Sequence, residues 1–183
     1  MHDDFRTANL LGAATLALSD VVVAKATRAA GTSSSGTAAL VVLSTDPGLS
    51  VTELGRRVGL SQSAAARMVS GLESQGLVHK EASWGAWVRL RLSDPGEQAA
   101  HTLLACRGEV LRQALGNLDD GEREQLGELL SKLLTGLYRQ PGDAEKMCRL
   151  CDRSACVEGG RSCPVGQADR DHRVTVSRDR AHG

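Results

Sequence analysis

The sequence has very few aromatic side chains: Phe, Trp and Tyr together account for four of its 183 residues. Its core must therefore be built from Ala, Leu and Val, since 41% of the residues are hydrophobic. Small aliphatic side chains of this kind favour closely packed helices over a β-sandwich. The length suits one domain with an appendage, so the composition predicts a mainly α fold.

Two further features are missing: a long apolar run and any motif typical of an enzyme. The chain begins with Met-His-Asp-Asp-Phe-Arg, and no segment approaches the roughly 18 uninterrupted apolar residues of a membrane span. We therefore expect a cytoplasmic protein without a membrane segment. A glycine-rich nucleotide-binding turn and a placed acid–base pair are also missing, which argues against an enzyme.

The formal net charge is zero, but the charge is unevenly distributed. Between Ser50 and Ser93 there are six basic and three acidic residues, a local excess of three positive charges. A basic middle segment between acidic neighbours is compatible with binding to a polyanion such as DNA.

Helical periodicity is strong at both ends of the first 140 residues. Apolar side chains at three- and four-residue steps predict a first helix from Asp4 to Ala30, and Gly31 ends it. At about 40 Å this helix is longer than a small core can cover, so part of it should pack on another subunit. Ser34 should begin a second helix, which Pro47 ends.

The middle of the chain has closely spaced helix caps. Ser50 and Glu53 form a capping-box pattern at the start of a short helix, which Gly59 closes. Ser61 is a second N-cap only two residues later. Two short helices joined by such a tight turn predict a helix-turn-helix.

The helix that Ser61 opens has one apolar and one polar face. Its polar positions are Gln62, Ser63, Ala66, Arg67 and Ser70. Arginine can read guanine, and Gln or Ser can read base edges or phosphates, so this face suits the major groove of DNA. The alternative is an ordinary solvated helix face.

Two strands follow this helix. Leu77 to Lys80 and Val88 to Leu92 read as a hairpin with its tip at residues 83–87. Lys80, Arg89 and Arg91 make the hairpin basic and are candidates for phosphate contacts. A helix-turn-helix followed by a basic hairpin predicts a winged helix.

Three stretches carry a resemblance: Leu60–Ser63, Leu72–Val78 and Leu90–Gly96 closely resemble the signature of the MarR family of bacterial transcription regulators. The likeness covers residues 5–140. It implies a mainly α winged helix-turn-helix with a small β-hairpin, a DNA-binding core at 50–93 within a domain at 1–140, and no enzymatic activity. It also implies a nucleoid-associated homodimer whose long N- and C-terminal helices interlock and whose recognition helices read a pseudo-palindromic duplex.

One departure from the family pattern lies at the wing tip. Family members usually carry Asp-x-Arg there, whereas the matching positions here are Trp84 and Ala86. Lys80, Arg89 or Arg91 would then contact the phosphate backbone of the DNA instead. We expect the tryptophans to pack at the base of the hairpin.

Two more helices complete the family-like domain. Asp94 and Glu97 form a capping pattern with Pro95 at the first helical position, and Asp119 and Glu122 repeat the pattern. The last helix carries a wide leucine stripe that ends at Tyr138. This stripe, like that of the first helix, is a predicted dimerisation surface.

Residues 141–183 form a tail that the family resemblance does not explain. It holds four of the five cysteines, Cys148, Cys151, Cys156 and Cys163, in the spacing C-x2-C-x4-C-x6-C. One folded loop could bring four such sulfurs to a point, as a thiolate-ligated metal centre requires. In a reducing cytosol clustered cysteines are more often ligands or redox sensors than structural disulfides.

Three interpretations of these cysteines remain open. An iron–sulfur cluster, [2Fe–2S] or [4Fe–4S], accepts such asymmetric spacing, and the Cys163–Val165 ending resembles the cluster loop of SoxR-type regulators. A structural zinc site usually assembles two C-x2-C pairs, and the sequence has one. The third possibility is a thiol–disulfide switch without metal.

The sequence thus predicts a DNA-binding regulator controlled by a cysteine-ligated sensor of redox state or iron. The alternatives are a regulator with a zinc tail that responds to a small aromatic ligand between the first, second and fifth helices, or a redox carrier or redox enzyme. The tail has little apolar content, so we expect partial disorder and ordering by metal or by the dimer. Cys106 should be a buried hydrophobe, and no histidine is assigned to a site.

Overall fold

The computed structural model describes residues 2–82 and 88–181, which are mostly helical with one small antiparallel hairpin. This confirms the predicted fold class. The helices and strands of the winged-helix part are α1 (His2–Ala30), α2 (Ser34–Thr45), α3 (Val51–Val58), α4 (Gln62–Ser74), β1 (Val78–Ala82), β2 (Val88–Leu92), α5 (Asp94–Ala114) and α6 (Asp120–Leu137). The tail adds α7 (Asp143–Met147), α8 (Arg153–Val157) and α9 (Pro164–Ala181).

The helix caps explain why the boundaries were predictable from the sequence. The Ser50 hydroxyl accepts the Glu53 amide N–H at 3.1 Å and so caps α3. Gly59 ends α3 with a left-handed φ of 78°. Asp119 and Glu122 form the reciprocal capping box of α6. At α5 the prediction was wrong by one residue: Ser93, not Asp94, is the N-cap, because its hydroxyl accepts the Gly96 amide N–H at 3.2 Å.

The hairpin pairs Val78 with Leu92 and Ala82 with Val88, so β1 begins one residue later than expected. The Gly48 amide N–H donates to the Leu90 carbonyl at 2.9 Å, which ties the hairpin to the chain before α3. The expected tip at residues 83–87, including the interpretation of its tryptophans, lies outside the described residues.

The core lies where α2, α3, α4, the hairpin and α5 meet. Its largest buried side chains are leucines from every one of these elements, namely Leu40, Leu43, Leu54, Leu72, Leu90 and Leu103. Close packing depends on two glycines. A Cβ at Gly55 would lie 2.6 Å from the Ala65 Cβ, and a Cβ at Gly96 would lie 1.9 Å from the Leu77 carbonyl oxygen. These two contacts fix α3 against α4 and the hairpin against α5.

The two long helices keep apolar side chains exposed. In α1 these include Phe5, Leu10, Leu11 and Leu16, and in α6 they are Leu129, Leu130, Leu133 and Leu137. The Phe5–Ala30 part of α1 is long and apolar enough to cross a membrane, a property that the core helices of many water-soluble proteins share. In the structure α1 packs along α5. The exposed faces match the surfaces predicted for dimerisation.

The tail contacts the winged-helix part of the chain. It is helical for most of its described length, and Val165 is buried, with 2% of its surface exposed. Leu150 packs against the main core. The expected partial disorder, and its ordering by metal or by the dimer, stay predictions.

Candidate functional site

The polar face of α4 is presented to solvent as the sequence predicts. Ala65, Val69 and Leu72 are buried on one side, whereas the predicted DNA-reading residues are all exposed, namely Gln62, Ser63, Arg67 and Ser70. Ser61 caps the helix by accepting the Ala64 amide N–H. Within the described residues Arg67 has no hydrogen bond or ion pair, so its guanidinium group is available to a partner.

The three basic residues of the hairpin do not share one surface. Directly paired residues of an antiparallel ladder lie on the same face, so Lys80 shares a face with its partner Leu90, while Arg89 and Arg91 lie on the other. Lys80 Nζ donates to Glu73 Oε2 of α4 at 2.7 Å. The Lys80 ammonium is therefore already engaged by the recognition helix.

The outer face of the hairpin carries the two arginines. Arg91 Nε donates to Glu81 Oε2 at 2.6 Å, and this bond lowers the pKa of Glu81. Arg89 has no ion pair in the part of the chain that the structure describes. His79 Nε2, on the same face, lies 3.6 Å from Glu81 Oε1. Of the three basic residues predicted to contact DNA from the hairpin, only Arg89 therefore has no ion-pair partner among the described residues.

A charged network on α3 was not predicted. Arg56 makes two bonds to Glu53, at 2.7 and 3.0 Å, and two to Glu145 of α7, at 2.9 and 3.1 Å. Arg57 donates to Glu53 at 3.0 Å and to Asp46 at 2.5 Å. The hydrogen bonds from Arg56 and then Arg57 lower the pKa of Glu53 to about 2. The spacing within α3 was visible in the sequence, but the bond to Glu145 spans 89 residues and had no local signal.

The four tail cysteines line a single cavity of about 340 Å³. The body of the protein supplies the rest of its wall through Val41, Val42 and Thr45 of α2 and Arg57 of α3. The cysteine segment therefore folds back onto the helix-turn-helix side of its own chain.

Electrostatics inside the cavity favour the thiolate form of one cysteine, Cys151, and the neutral thiol form of Cys148 and Cys156. The hydrogen bond between Cys148 and Cys151 lowers the pKa of Cys151 and raises that of Cys148, so the pair gives up its first proton from Cys151. The Arg107 guanidinium lowers the pKa of Cys151 further. Burial, followed by the nearby sulfurs of Cys151 and Cys163, raises the pKa of Cys156. These mutual effects place all four sulfurs within one electrostatic environment.

Positive charge surrounds the sulfurs. Arg57, Arg153, Arg161 and Arg170 all line the cavity, and the last three have no carboxylate partner among the described residues. Cys163 also sits at the start of α9, where the Gly166 amide N–H donates to its Sγ at 3.5 Å. Arginines and a helix N-terminus stabilise anionic sulfur.

The cysteines are not arranged around a single metal ion. Thiolates on one tetrahedral zinc lie roughly 3.8 Å apart, as follows from a Zn–S bond of about 2.3 Å. In the described part of the chain no three Cys, His, Asp or Glu side chains are grouped closely enough to hold one ion.

The remaining predicted features are placed as follows. Cys106, on α5, is half-buried rather than fully buried. His172, on α9, meets the Tyr138 ring edge-on at 5.9 Å. Tyr138 Oη donates to Asp169 Oδ1 at 2.8 Å, and burial together with this bond raises the pKa of Tyr138 to about 12. These contacts join α9 to the end of α6.

Comparisons with known proteins agree with this architecture. The MarR family model matches residues 31–83, a segment that contains α2, α3, α4 and β1. The MarR repressor structure from Listeria monocytogenes is 28% identical, with a TM-score of 0.55, and the match covers 75% of this chain and 99% of that one. None of the curated proteins compared matches the chain.

Two further structures extend the comparison. The MarR family protein Rv2887 of Mycobacterium tuberculosis, in complex with salicylic acid, is 27% identical, with a TM-score of 0.54 and coverage of 68% of this chain and 93% of that one. A MarR family protein from Bacillus stearothermophilus is 23% identical, with a TM-score of 0.63 and coverage of 73% and 97%, which shows likeness of fold. Together the matched segment and these structures show that the chain is similar to MarR family proteins in its winged-helix part.

Proposed function

We propose that the protein is a homodimeric, sequence-specific DNA-binding regulator whose DNA affinity is controlled by a centre at Cys148, Cys151, Cys156 and Cys163. The observation that carries the DNA-binding part is the exposed polar face of α4 on a winged-helix frame, with the Arg67 guanidinium unpaired among the described residues. Catalysis is not required for this role.

Recognition of base edges rests on Arg67, with Gln62, Ser63 and Ser70 beside it on the same helix face. Arginine is the most common partner of guanine in the major groove, and short polar side chains allow α4 to approach the bases closely. Arg89 and Arg91 on the outer face of the hairpin contact the phosphate backbone, which gives affinity and salt dependence but little sequence information.

The homodimer follows from the exposed apolar faces of α1 and α6. A monomer in water does not keep Leu129, Leu130, Leu133 and Leu137 exposed along one helix without cost, and a symmetric partner would cover them. Two recognition helices then face successive major grooves of a pseudo-palindromic duplex.

For the cysteine centre we propose an iron–sulfur cluster, [2Fe–2S] or [4Fe–4S]. Support comes from four sulfurs that line one cavity, from the asymmetric C-x2-C-x4-C-x6-C spacing, and from the arginines around the cavity. When bound, such a cluster supplies a redox-active group whose loss or oxidation alters the local charge. The protein's own groups hold it: the four thiolates ligate, and Arg153, Arg161 and Arg170 offset the negative charge.

A second candidate keeps the regulator and changes the signal. Rv2887 of M. tuberculosis has been solved with salicylic acid, so a small aromatic acid is a plausible class of effector for this fold. In that case the cysteine segment would be a structural zinc site. Metal analysis and the visible absorption spectrum of anaerobically purified protein separate the two, because only iron–sulfur protein absorbs strongly in the visible range.

The DNA-binding proposal is tested with duplexes selected by the wild-type protein from a random library. Arg67→Ala should lower affinity for the selected duplex by about ten- to hundredfold, as expected for loss of a bidentate base contact. Arg112→Ala, which removes an exposed arginine paired with Glu109 on α5, is the charge-matched control and should change affinity little. Equal losses in both variants would contradict specific reading by α4.

A further inference from the structure

The cysteine segment touches the helix-turn-helix directly. Glu145 lies on α7, three residues before Cys148, and both of its carboxylate oxygens bond to Arg56 of α3, at 2.9 and 3.1 Å. Gly142 supports this contact, since a Cβ there would lie 3.2 Å from Arg56 Nη1. The two-pronged geometry holds the guanidinium plane in one orientation.

We propose that the Arg56–Glu145 ion pair positions the helix-turn-helix for DNA binding, so that the cysteine segment sets DNA affinity through α3. This inference rests on the proposed DNA-binding function and names the route by which the cysteine cavity acts on it. Both residues are positioning residues, because neither belongs to the base-reading face of α4.

The route is continuous from the cavity to the recognition helix. Arg56 shares Glu53 with Arg57, and Arg57 lines the cysteine cavity. Helix α3 in turn packs on α4 through the close approach of Gly55 to Ala65, where a Cβ on the glycine would lie 2.6 Å from the alanine Cβ. A small shift of α3 therefore moves α4, because the two helices are closely packed at this contact.

Another route leads through the dimer helices. Tyr138 at the end of α6 donates to Asp169 of α9 at 2.8 Å, so the segment that follows Cys163 could instead act on α6. The α3 route is favoured because it ends on the DNA-binding motif itself, whereas the α6 route must pass through the subunit interface. The two routes differ in residues and can be tested separately.

The experiment uses full-length protein and the duplex selected by the wild type, with affinity measured by fluorescence anisotropy. The variants are Glu145→Gln, Arg56→Gln and the double variant, with Tyr138→Phe for the other route. Glu158→Gln is the matched control, since it removes a tail carboxylate that makes no ion pair among the described residues. Each protein is measured after anaerobic treatment with iron and sulfide and after removal of metal by chelation.

Exposed ion pairs contribute modestly, so we expect Glu145→Gln to lower affinity by about two- to fivefold relative to Glu158→Gln. The double variant should bind no more weakly than Arg56→Gln, because the two side chains act as a pair. The melting temperature of Glu145→Gln should equal that of Glu158→Gln. The slope of affinity against salt concentration should not change, since no phosphate contact is lost.

Three results would overturn the proposal. Glu145→Gln could behave like Glu158→Gln, the two single effects could simply add, or affinity could rise with a steeper salt slope, which would mean that the released Arg56 binds phosphate. Tyr138→Phe could also abolish the difference in DNA affinity between metal-treated and metal-free protein while Glu145→Gln keeps it. That result would assign the coupling to α6. Failure of the proposed function looks different: the wild type itself would then show no preference for the selected duplex.

Discussion

The winged-helix part and the cysteine segment are built by different physical means. Residues 34–82 and 88–114 fold around a leucine core, with side-chain caps at the helix starts and tight glycine contacts between elements. Residues 143–181 form two five-residue helices and the 18-residue α9, and they contact the body through Leu150, the Arg56–Glu145 pair and the Tyr138–Asp169 hydrogen bond. Fewer contacts hold the second region, which suits the change of state that we propose for it.

The largest effect is expected from a substitution that disrupts the packing of α5 against the start of the hairpin. In Gly96→Ala the new Cβ would meet the Leu77 carbonyl oxygen at 1.9 Å, so backbone has to move. We expect a loss of at least about 3 kcal/mol in the free energy of unfolding. Chemical denaturation measures it.

Gly108→Ala is the matched control on the same helix, because nothing lies within 4 Å of a Cβ there. It should be neutral or stabilising by up to about 1 kcal/mol, since alanine favours a helix interior over glycine. Similar stabilities of the two variants would show that the hairpin is not fixed against α5 as described.

Much of the winged-helix part was predictable because its signals are local. A cap needs only a serine three residues before an amide, as at Ser50 and Ser61, and the alternation of Leu90 and Leu92 with arginine identifies a half-buried strand. The error at α5, Asp94 instead of Ser93 as the N-cap, arose because both side chains can cap and lie next to each other. The exposed face of α4 was likewise predictable from the three- and four-residue spacing of its apolar side chains.

The docking of the cysteine segment was not predictable in the same way. Arg56 and Glu145 are separated by 89 residues, and neither has a sequence context that distinguishes it from a solvated charge. The DNA contact of Lys80 stays a prediction, and the ion pair of Lys80 with Glu73 had no signal in the sequence. Spacing identified the four cysteines as a group, yet only the fold shows that α2 and α3 form the other wall of their cavity.

The second prediction tests how the tail is held. Val165→Ala removes two methyl groups from a side chain with 2% exposure, which should weaken docking of α9 by about 2 kcal/mol. Limited proteolysis within residues 143–181 should then accelerate by more than tenfold, while the melting transition of the winged-helix part stays in place.

Val174→Ala serves as the control, because Val174 lies on the same helix and is 51% exposed. It should leave the cleavage rate unchanged. If Val165→Ala instead lowers the melting temperature of the whole protein, the two regions unfold together, and the contrast between them does not hold for stability.

The third prediction concerns the charged network between the two regions. The folded pKa of Glu53 lies at about 2, below its ordinary value of 4.5, so its bonds to Arg56 and Arg57 stabilise the folded state above pH 4.5. That contribution falls as the pH is lowered from 4.5 toward 2. Because the carboxylate is partly exposed, we expect about 1 kcal/mol.

Glu53→Gln should therefore be less stable than the wild type at pH 7, and the difference should shrink steadily below pH 4.5. Thermal unfolding at pH 7, 4 and 3 measures this. A constant difference across that range would mean that the amide disturbs packing rather than removing the charge interaction.

The smallest expected effect separates the basic residues of the hairpin. Lys80 is bonded to Glu73 at 2.7 Å on the α4 side, whereas Arg89 lies on the outer face without an ion pair among the described residues. Lys80→Gln should lower DNA affinity by less than about twofold, because an exposed pair that is already formed contributes little to DNA binding. Arg89→Gln should weaken binding to all sequences and reduce the salt slope by about one, as for one lost phosphate contact. A larger change of slope in Lys80→Gln would mean that Lys80 leaves Glu73 when DNA is bound, and the recognition helix and the wing would then adjust together.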